Sequence, residues 1–329
     1  MFAPTPVTPD PWDPLSYRLP VMRHSTWYPL GCRVEITANS ADVFHAADSV
    51  WCDYPKLSKP VSARLTATVS SGHAELAPNR PLSRGQENLI SIVDSAANFA
   101  VADLSRGFAN ICLSVNAAKD RRYLLDTFIE PLTYLMLGAR HFAMVHASCV
   151  ALNGRSILLC GDSGAGKTCL AYMCARSGWT FLSGDATQIV RGSTIHEIVG
   201  RPCSIRFRPS ARQLFPELND FPATTRTSGG KADLDCPAKA LNISTALTGM
   251  VSHLVFLNRA MDVEAAYVEQ FDRQEAYAWL EQAAFYGDDQ VRMEQRETLS
   301  SLTNLPVLRL TYSNLREAER ALRSLVDRS

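Results

Sequence analysis

Apolar and polar residues alternate along much of the segment from about residue 31 to 118, a pattern typical of β-strands that bury one face. Small polar residues and glycine separate the alternating runs and favour turns between them. The pattern predicts five strands, which are Arg33–Thr37, Ala63–Val69, Leu89–Val93, Asn98–Asp103 and Phe108–Val115. We expect these strands to form a β-rich accessory module.

Residues 120–138 have apolar positions at helical spacing instead, so they predict a helix. Pro131 lies inside this segment and predicts a kink, because proline has no N–H to donate and its ring crowds the preceding turn. Gly138 is a favourable residue for the end of the helix.

Beyond residue 139, strand-like and helix-like segments are interspersed. The apolar runs Phe142–Leu152 and Ser156–Cys160 are separated by Asn153-Gly154, a strong β-hairpin signal. Further strands are predicted at Trp179–Ser183, Thr187–Val190, Ile195–Val199, Ser204–Phe207, Leu254–Leu257 and Val307–Tyr312. Helices are predicted at Lys167–Arg176, Ser210–Leu218, Gln274–Tyr286 and Arg316–Val326, and a loop at Phe221–Pro237. This order of elements predicts an α/β fold around a mixed sheet.

The predicted organisation is an extended, proline-rich arm over residues 1–20, the β-rich module over 21–138, and a second domain over 139–329. Lys and Arg together equal Asp and Glu at 33 each, and no dense basic cluster is present, so we expect no nucleic-acid or membrane-surface partner. No apolar run approaches the roughly 20 residues that span a bilayer. The nine cysteines have no C-x-x-C spacing, which favours buried reduced thiols and a cytoplasmic location.

Candidate chemistry is concentrated in the sequence Gly161-Asp-Ser-Gly-Ala-Gly-Lys-Thr168, which matches the phosphate-binding pattern G-x-x-x-x-G-K-[ST] at every position. A predicted strand precedes it and a predicted helix follows, as this chemistry requires. The glycines allow backbone N–H groups to surround phosphates, and the helix N-terminus adds partial positive charge. We therefore predict that the phosphate-binding loop binds ATP with Mg²⁺ through Gly161, Asp162, Ser163, Gly164, Ala165, Gly166, Lys167 and Thr168. Lys167 is expected to reach the β- and γ-phosphates, and Thr168 to bind Mg²⁺.

Asp185 and His146 are the next candidates. Asp185 follows the predicted strand Trp179–Ser183, where an acid beside the phosphates can hold Mg²⁺ or accept a proton from a hydroxyl. An aspartate that caps a turn is the alternative. His146 lies one strand before the phosphate-binding loop; it is either a base or phosphate contact, or a histidine packed in the core.

The stretch from His146 to Thr168, together with Gly178-Trp-Thr-Phe-Leu-Ser-Gly-Asp185, resembles the catalytic domain of the HPr kinase/phosphorylase family. The segments beginning at Val199 and Leu214 also resemble HPr-kinase-related proteins, including kinases encoded beside peptide natural products. The resemblance implies a P-loop catalytic domain of the HPr kinase C-terminal type, with a fold related to phosphoenolpyruvate carboxykinase. It also implies transfer of a γ-phosphoryl group to a hydroxyl, with His146 and Asp185 in the active site. The first 120 residues do not resemble the N-terminal domain of the carrier-protein kinase.

One position departs from the family pattern. The family usually has two adjacent acids after the strand that follows the loop, but this chain has Gly184-Asp185. One task, metal binding or proton acceptance, therefore lacks its usual residue, which argues against HPr itself as the acceptor. Glu197 is a candidate replacement, and Lys231 lies in a glycine-containing loop suited to closing over nucleotide.

Arg206 and Arg208 alternate on a predicted strand, so both are expected on one side, in contact with phosphate or on a solvated face.

The leading hypothesis is an ATP-dependent kinase with Lys167, Asp185 and His146 as catalytic residues and Thr168 and Asp185 as metal ligands. Its acceptor is a serine or other hydroxyl of a peptide, protein or small molecule, and self-association stays open. Alternatives are a non-catalytic nucleotide-binding regulatory module and a simple NTPase.

Overall fold

A computed structural model describes residues 22–51, 53–70, 81–225 and 232–328. The predicted arm over residues 1–20, together with Lys231 and Cys52, lies outside this part of the chain. Within the described residues, no helix is long and apolar enough to cross a membrane. The cysteines there are free thiols, most of them buried.

Residues 23–114 contain the strands of a seven-stranded sheet. Its strands are β1 (Arg23–Trp27), β2 (Arg33–Ala38), β3 (Val61–Ser70), β4 (Leu82–Gln86), β5 (Leu89–Val93), β6 (Phe99–Asp103) and β7 (Phe108–Ser114). They lie in the order β1-β2-β3-β7-β6-β5-β4. The five predicted strands are confirmed, whereas β1 and β4 were not predicted.

Helix α1 (Ala41–Trp51) packs on one face of this sheet and was also not predicted. Its buried positions Val43, Ala46, Ala47 and Trp51 have helical spacing, but two of them are alanines and add little to an apolar pattern. These residues belong to the same core as the inward side chains of β2, β3 and β7.

The predicted helix over 120–138 is a chain of shorter pieces: α2 (Val115–Lys119), α3 (Arg121–Leu124), a π-helical turn (Leu125–Ile129) and α4 (Glu130–His141). Pro131 lies in the first turn of α4, directly after the π-helical turn. The irregularity at this point is explained by the missing proline N–H and the steric demand of its ring.

Gly138 does not end α4, which continues to His141. The hydroxyl of Tyr286 occupies the space that a Cβ at Gly138 would need. This glycine is therefore required by a close approach between distant segments, which local sequence does not reveal.

The remaining strands are β8 (Phe142–Val145), β9 (Ser148–Leu152), β10 (Arg155–Cys160), β11 (Thr180–Ser183), β12 (Thr187–Val190), β13 (Glu197–Val199), β14 (Ser204–Phe207), β15 (Ala223–Thr225), β16 (Ala232–Pro237), β17 (Thr248–Arg259), β18 (Tyr267–Gln270) and β19 (Val307–Tyr312). Nine form a mixed sheet in the order β11-β9-β10-β17-β13-β12-β8, with β19 pairing β17 and β18. Strands β14, β16 and β15 form a separate three-stranded sheet. The predicted mixed α/β class is confirmed, and the boundary at residue 139 stays a prediction.

Both faces of the nine-stranded sheet are covered. Helices α5 (Lys167–Arg176) and α8 (Leu315–Arg328) share one core with Ile157 and Leu159 of β10, while α6 (Arg273–Leu280) and α7 (Asp289–Ser301) share another with Leu158 and Cys160. A strand buried on both faces needs apolar residues at successive positions, which explains the apolar run in β10.

The hairpin between β9 and β10 is confirmed. These strands pair antiparallel, and Asn153 and Gly154 between them have φ of 52° and 79°, as a two-residue hairpin turn requires. The run Phe142–Leu152, in contrast, is divided into β8 and β9 by His146-Ala147.

Several later predictions were wrong in extent or type. Ser210–Leu218 is not one helix but two 3-10 turns, Pro209–Gln213 and Pro216–Asp220, since proline at 216 interrupts helical hydrogen bonding. The segment Phe221–Pro237 includes β15 and β16, which pair with each other, and β16 also pairs with the more distant β14. The helix predicted over Gln274–Tyr286 ends at Leu280, and α7 was not predicted.

Candidate functional site

The phosphate-binding loop connects the end of β10 to the start of α5. Gly161, Gly164 and Gly166 have φ of 139°, 95° and 94°, a region that residues with a Cβ rarely adopt. A Cβ at Gly166 would also lie 2.7 Å from the Tyr312 hydroxyl, which donates a hydrogen bond to Ala165 O at 3.0 Å. The glycines thus permit the conformation of the loop backbone, and a hydrogen bond from the end of β19 stabilises it.

Lys167 is the first residue of α5, and it is only 7% exposed. Its Nζ donates to Gly161 O at 2.7 Å and to Asp162 O at 3.2 Å, so the ammonium lies against the loop. Burial lowers the pKa of Lys167, and the nearby Asp185 carboxylate acts in the opposite direction. An ammonium with reduced hydration at this place favours interaction with phosphate oxygens.

Gly184 connects the loop to the candidate acid. Its carbonyl accepts hydrogen bonds from Thr168 Oγ1 at 3.0 Å and from Ser148 Oγ at 2.6 Å. A Cβ at Gly184 would face Phe181 at 3.4 Å and Ile205 at 3.7 Å. A carboxylate there would be directed at apolar atoms, so the local packing suits glycine better than the second acid of the family pattern.

Asp185 and His146 lie side by side. His146 Nδ1 is 3.3 Å from Asp185 Oδ1, and their side chains are 52% and 64% exposed. His146 lies in the short connection between β8 and β9, and Thr187 Oγ1 donates to the neighbouring Ala147 O at 2.9 Å. The imidazole and carboxylate are accessible, which is what a proton acceptor for an incoming hydroxyl needs.

These residues line a cleft of about 520 Å³, a volume typical of ligand sites. His146, Lys167, Thr168 and Asp185 lie along it, as do Arg206 and Arg208.

Each of these two arginines also has acidic partners. Arg206 lies 3.6 Å from Glu130 and 3.8 Å from Asp235, and Arg208 lies 3.5 Å from Asp233. They face the same cleft, as the strand alternation predicts, but they are already ion-paired.

One weaker candidate, Glu197, is not brought to the cleft. Glu197 lies on β13 opposite Met250, and it is not among the described residues that line the cleft. Lys231 lies outside the described residues.

Sequence reasoning missed Arg259, Tyr312 and Leu315, which also line the cleft. Arg259 ends β17 and Tyr312 ends β19, and both strands run parallel to β10 or to its neighbour. The carboxyl ends of parallel strands meet at one edge of a sheet, where ligands commonly bind. That rule would have found them if the full length of β17 had been recognised.

The oxygen donors beside the loop suit Mg²⁺. Thr168 offers a hydroxyl and Asp185 a carboxylate, and the Thr168 hydroxyl already contacts the residue before Asp185. The described residues contain no cluster of three or more His, Cys, Asp or Glu side chains placed to hold a metal. Few protein ligands are needed for Mg²⁺ in phosphate sites, because it takes further ligands from phosphates and water.

Comparison with known proteins adds little to this geometry. No protein-family model matches the chain, and no curated protein matches it. Among solved structures, the chain is similar to the Hpr(Ser) kinase/phosphatase from Coxiella burnetii, at 10% identity and a TM-score of 0.32, over 56% of this chain and 97% of that chain. A likeness of this degree does not assign the chain to a family, so the functional argument rests on the site.

Proposed function

We propose that this chain is an ATP- and Mg²⁺-dependent kinase that transfers the γ-phosphoryl group to a hydroxyl of a peptide, protein or small molecule. The observation that supports it best is the His146–Asp185 pair, at 3.3 Å, in the same cleft as Lys167 and Thr168. A phosphate-binding loop alone explains nucleotide binding. An accessible carboxylate and imidazole beside it also supply a place for the proton that phosphoryl transfer to a hydroxyl releases.

In this proposal, the loop N–H groups and Lys167 bind the phosphates and offset their charge. Thr168 and Asp185 supply oxygen ligands for Mg²⁺, which neutralises charge on the β- and γ-phosphates when bound. The acceptor oxygen bonds to the γ-phosphorus while the bond to the β–γ bridging oxygen breaks, and ADP leaves with that electron pair. The hydroxyl proton passes to the Asp185–His146 pair.

A non-catalytic nucleotide-binding module is the second candidate, and Gly184 is the observation in its favour. With glycine at this position, Asp185 is the single acid after β11. Metal binding and proton acceptance must then be shared between Asp185 and His146, or transfer is lost.

Transfer of label from γ-labelled ATP tests the proposal. The chain is incubated with Mg²⁺ and with serine-containing peptides or cell lysate, beside Lys167→Ala, Asp185→Asn and the control Arg320→Gln on the exposed face of α8. Lys167→Ala is expected to weaken ATP binding by about 10–100-fold, through loss of a charge-assisted contact. Asp185→Asn is expected to lower the rate of transfer by about 10²–10⁴-fold while ATP still binds.

The kinase is supported if the wild-type chain labels an acceptor and the Asp185→Asn variant does not. Free phosphate without a labelled acceptor points to an NTPase instead. ATP binding without either product leaves the nucleotide-binding module as the function.

A further inference from the structure

Arg259 is the exposed last residue of β17, and its side chain lines the cleft. Arg206 and Arg208 in the same cleft have acidic partners. Arg259, in contrast, forms no ion pair with any residue in the described ranges. An unpaired guanidinium beside a phosphate-binding loop is well suited to a phosphate, whose oxygens it can contact in pairs.

The location of Arg259 along the cleft indicates which phosphate it meets. It pairs in register with Tyr312, whose hydroxyl donates to Ala165 O at 3.0 Å. Arg259 therefore lies on the β19 side of the start of α5. His146 precedes β9 and Asp185 follows β11, and both of these strands lie on the opposite side of β10 from β17.

Electrostatic effects agree with this arrangement. Burial raises the pKa of the Cys169 thiol, and Arg259 is the charge that opposes this rise. The charged carboxylates that act on Lys167 are those of Asp185 and Asp162. Arg259 and Cys169, the residue after Thr168, also line the same cleft.

A bound triphosphate has a fixed direction in such a loop. The lysine reaches the β- and γ-phosphates, and backbone N–H groups at the loop and helix start surround the α- and β-phosphates. With the γ-phosphate next to Asp185 and His146, the α-phosphate lies towards Cys169 and Arg259.

We propose that Arg259 binds the α-phosphate of the nucleotide and thereby orients the nucleoside within the cleft. The proposal rests on nucleotide binding at the loop, as in the proposed function, but not on phosphoryl transfer.

Calorimetric titration with three ligands tests it. Mg²⁺ complexes of ATP, ADP and inorganic tripolyphosphate are titrated into the wild-type chain, Arg259→Gln, Arg259→Lys and the control Arg320→Gln. Arg259→Gln is expected to weaken the binding of all three ligands by a similar factor, about 10-fold or more, because each ligand places a phosphate at this position. Arg259→Lys is expected to recover part of the loss through its charge, and Arg320→Gln to bind like the wild type. Thermal melting checks that the variants are folded.

Other outcomes overturn the proposal. If Arg259→Gln weakened the binding of ATP and ADP but left the binding of tripolyphosphate unchanged, Arg259 would contact the nucleoside. If it weakened the binding of ATP and tripolyphosphate but not of ADP, Arg259 would contact the γ-phosphate. Unchanged binding of all three ligands would mean that Arg259 contacts none of the phosphates. If the wild-type chain binds ATP but transfers no label, only the kinase proposal is refuted. If it binds none of the three ligands, the kinase proposal and the Arg259 proposal are both refuted.

Discussion

At the scale of single residues, the carbonyl of Gly184 connects two elements of the site. It accepts hydrogen bonds from Thr168 and Ser148, and so it joins α5 and β9 directly in front of Asp185. The next residue, Asp185, is then held beside His146. A backbone carbonyl can accept these hydrogen bonds whatever the side chain, so they do not explain the glycine. The apolar atoms of Phe181 and Ile205 around the place of a Cβ explain why an acid is absent here.

Two substitutions at Gly184 test this explanation. Gly184→Ala is expected to change the free energy of unfolding by no more than about 1 kcal/mol, because its Cβ would make ordinary contacts and φ is not in the left-handed region. Gly184→Asp is expected to lower it by about 1–3 kcal/mol, because a carboxylate would face apolar atoms. Urea denaturation measures both. Equal effects of the two variants would contradict the explanation.

At the scale of elements, the loop between β10 and α5 depends at its α5 end both on glycine at positive φ and on packing from β19. Gly166 at the start of α5 and Gly178 after its end have nearly the same φ, 94° and 91°. A Cβ at Gly178 would meet nothing within 4 Å, whereas one at Gly166 would lie 2.7 Å from Tyr312 Oη. The two positions therefore separate backbone strain from steric contact.

Alanine at each glycine gives a matched pair. Gly178→Ala is expected to lower the free energy of unfolding by about 1 kcal/mol, from strain at positive φ alone. Gly166→Ala is expected to cost more and to weaken ATP binding, since Tyr312 must move as well. Adding Tyr312→Phe to each variant should reduce the excess cost at Gly166 but not the cost at Gly178. Chemical denaturation and ATP titration check this, and equal costs for both glycines would refute it.

At the scale of the whole molecule, a partly buried ion-pair network joins α4, which packs on the seven-stranded sheet, to a strand that lines the cleft. Glu130 in α4 is 8% exposed; it accepts from Arg201 at 2.6 Å and lies 3.6 Å from Arg206. The Arg201 guanidinium also lies over the Tyr134 ring, 4.2 Å from its centre. The network crosses the boundary predicted at residue 139, so the two parts of the chain are coupled through it.

Removing Glu130 leaves two arginines without this partner. Glu130→Leu is expected to lower the free energy of unfolding by about 3 kcal/mol, because buried charge is left uncompensated. Adding Arg201→Met should recover part of that loss, while the exposed control Glu297→Leu should change it by about 0.5 kcal/mol or less. Thermal and urea denaturation measure these values. A double variant less stable than Glu130→Leu alone would contradict this account.

Local patterns in the sequence determined the phosphate-binding loop, the strand before it, the helix after it and the hairpin at Asn153-Gly154. These features depend on neighbouring residues: glycine at positive φ, apolar runs, and lysine and threonine at a helix start. The alternating strands of the first half were predictable for the same reason. The sequence also singled out His146 and Asp185, but it supplied no distance between them.

Tertiary structure alone decided which distant residues meet at the loop. Pairing of β17 with β10 and β19 brings Arg259 and Tyr312 to the cleft, yet only Leu254–Leu257 of β17 was predicted from its apolar residues. The pairing of β16 with β14, and the approach of Tyr286 to Gly138, also depend on partners far along the chain. Such contacts are set by packing and strand register, which local propensity does not encode.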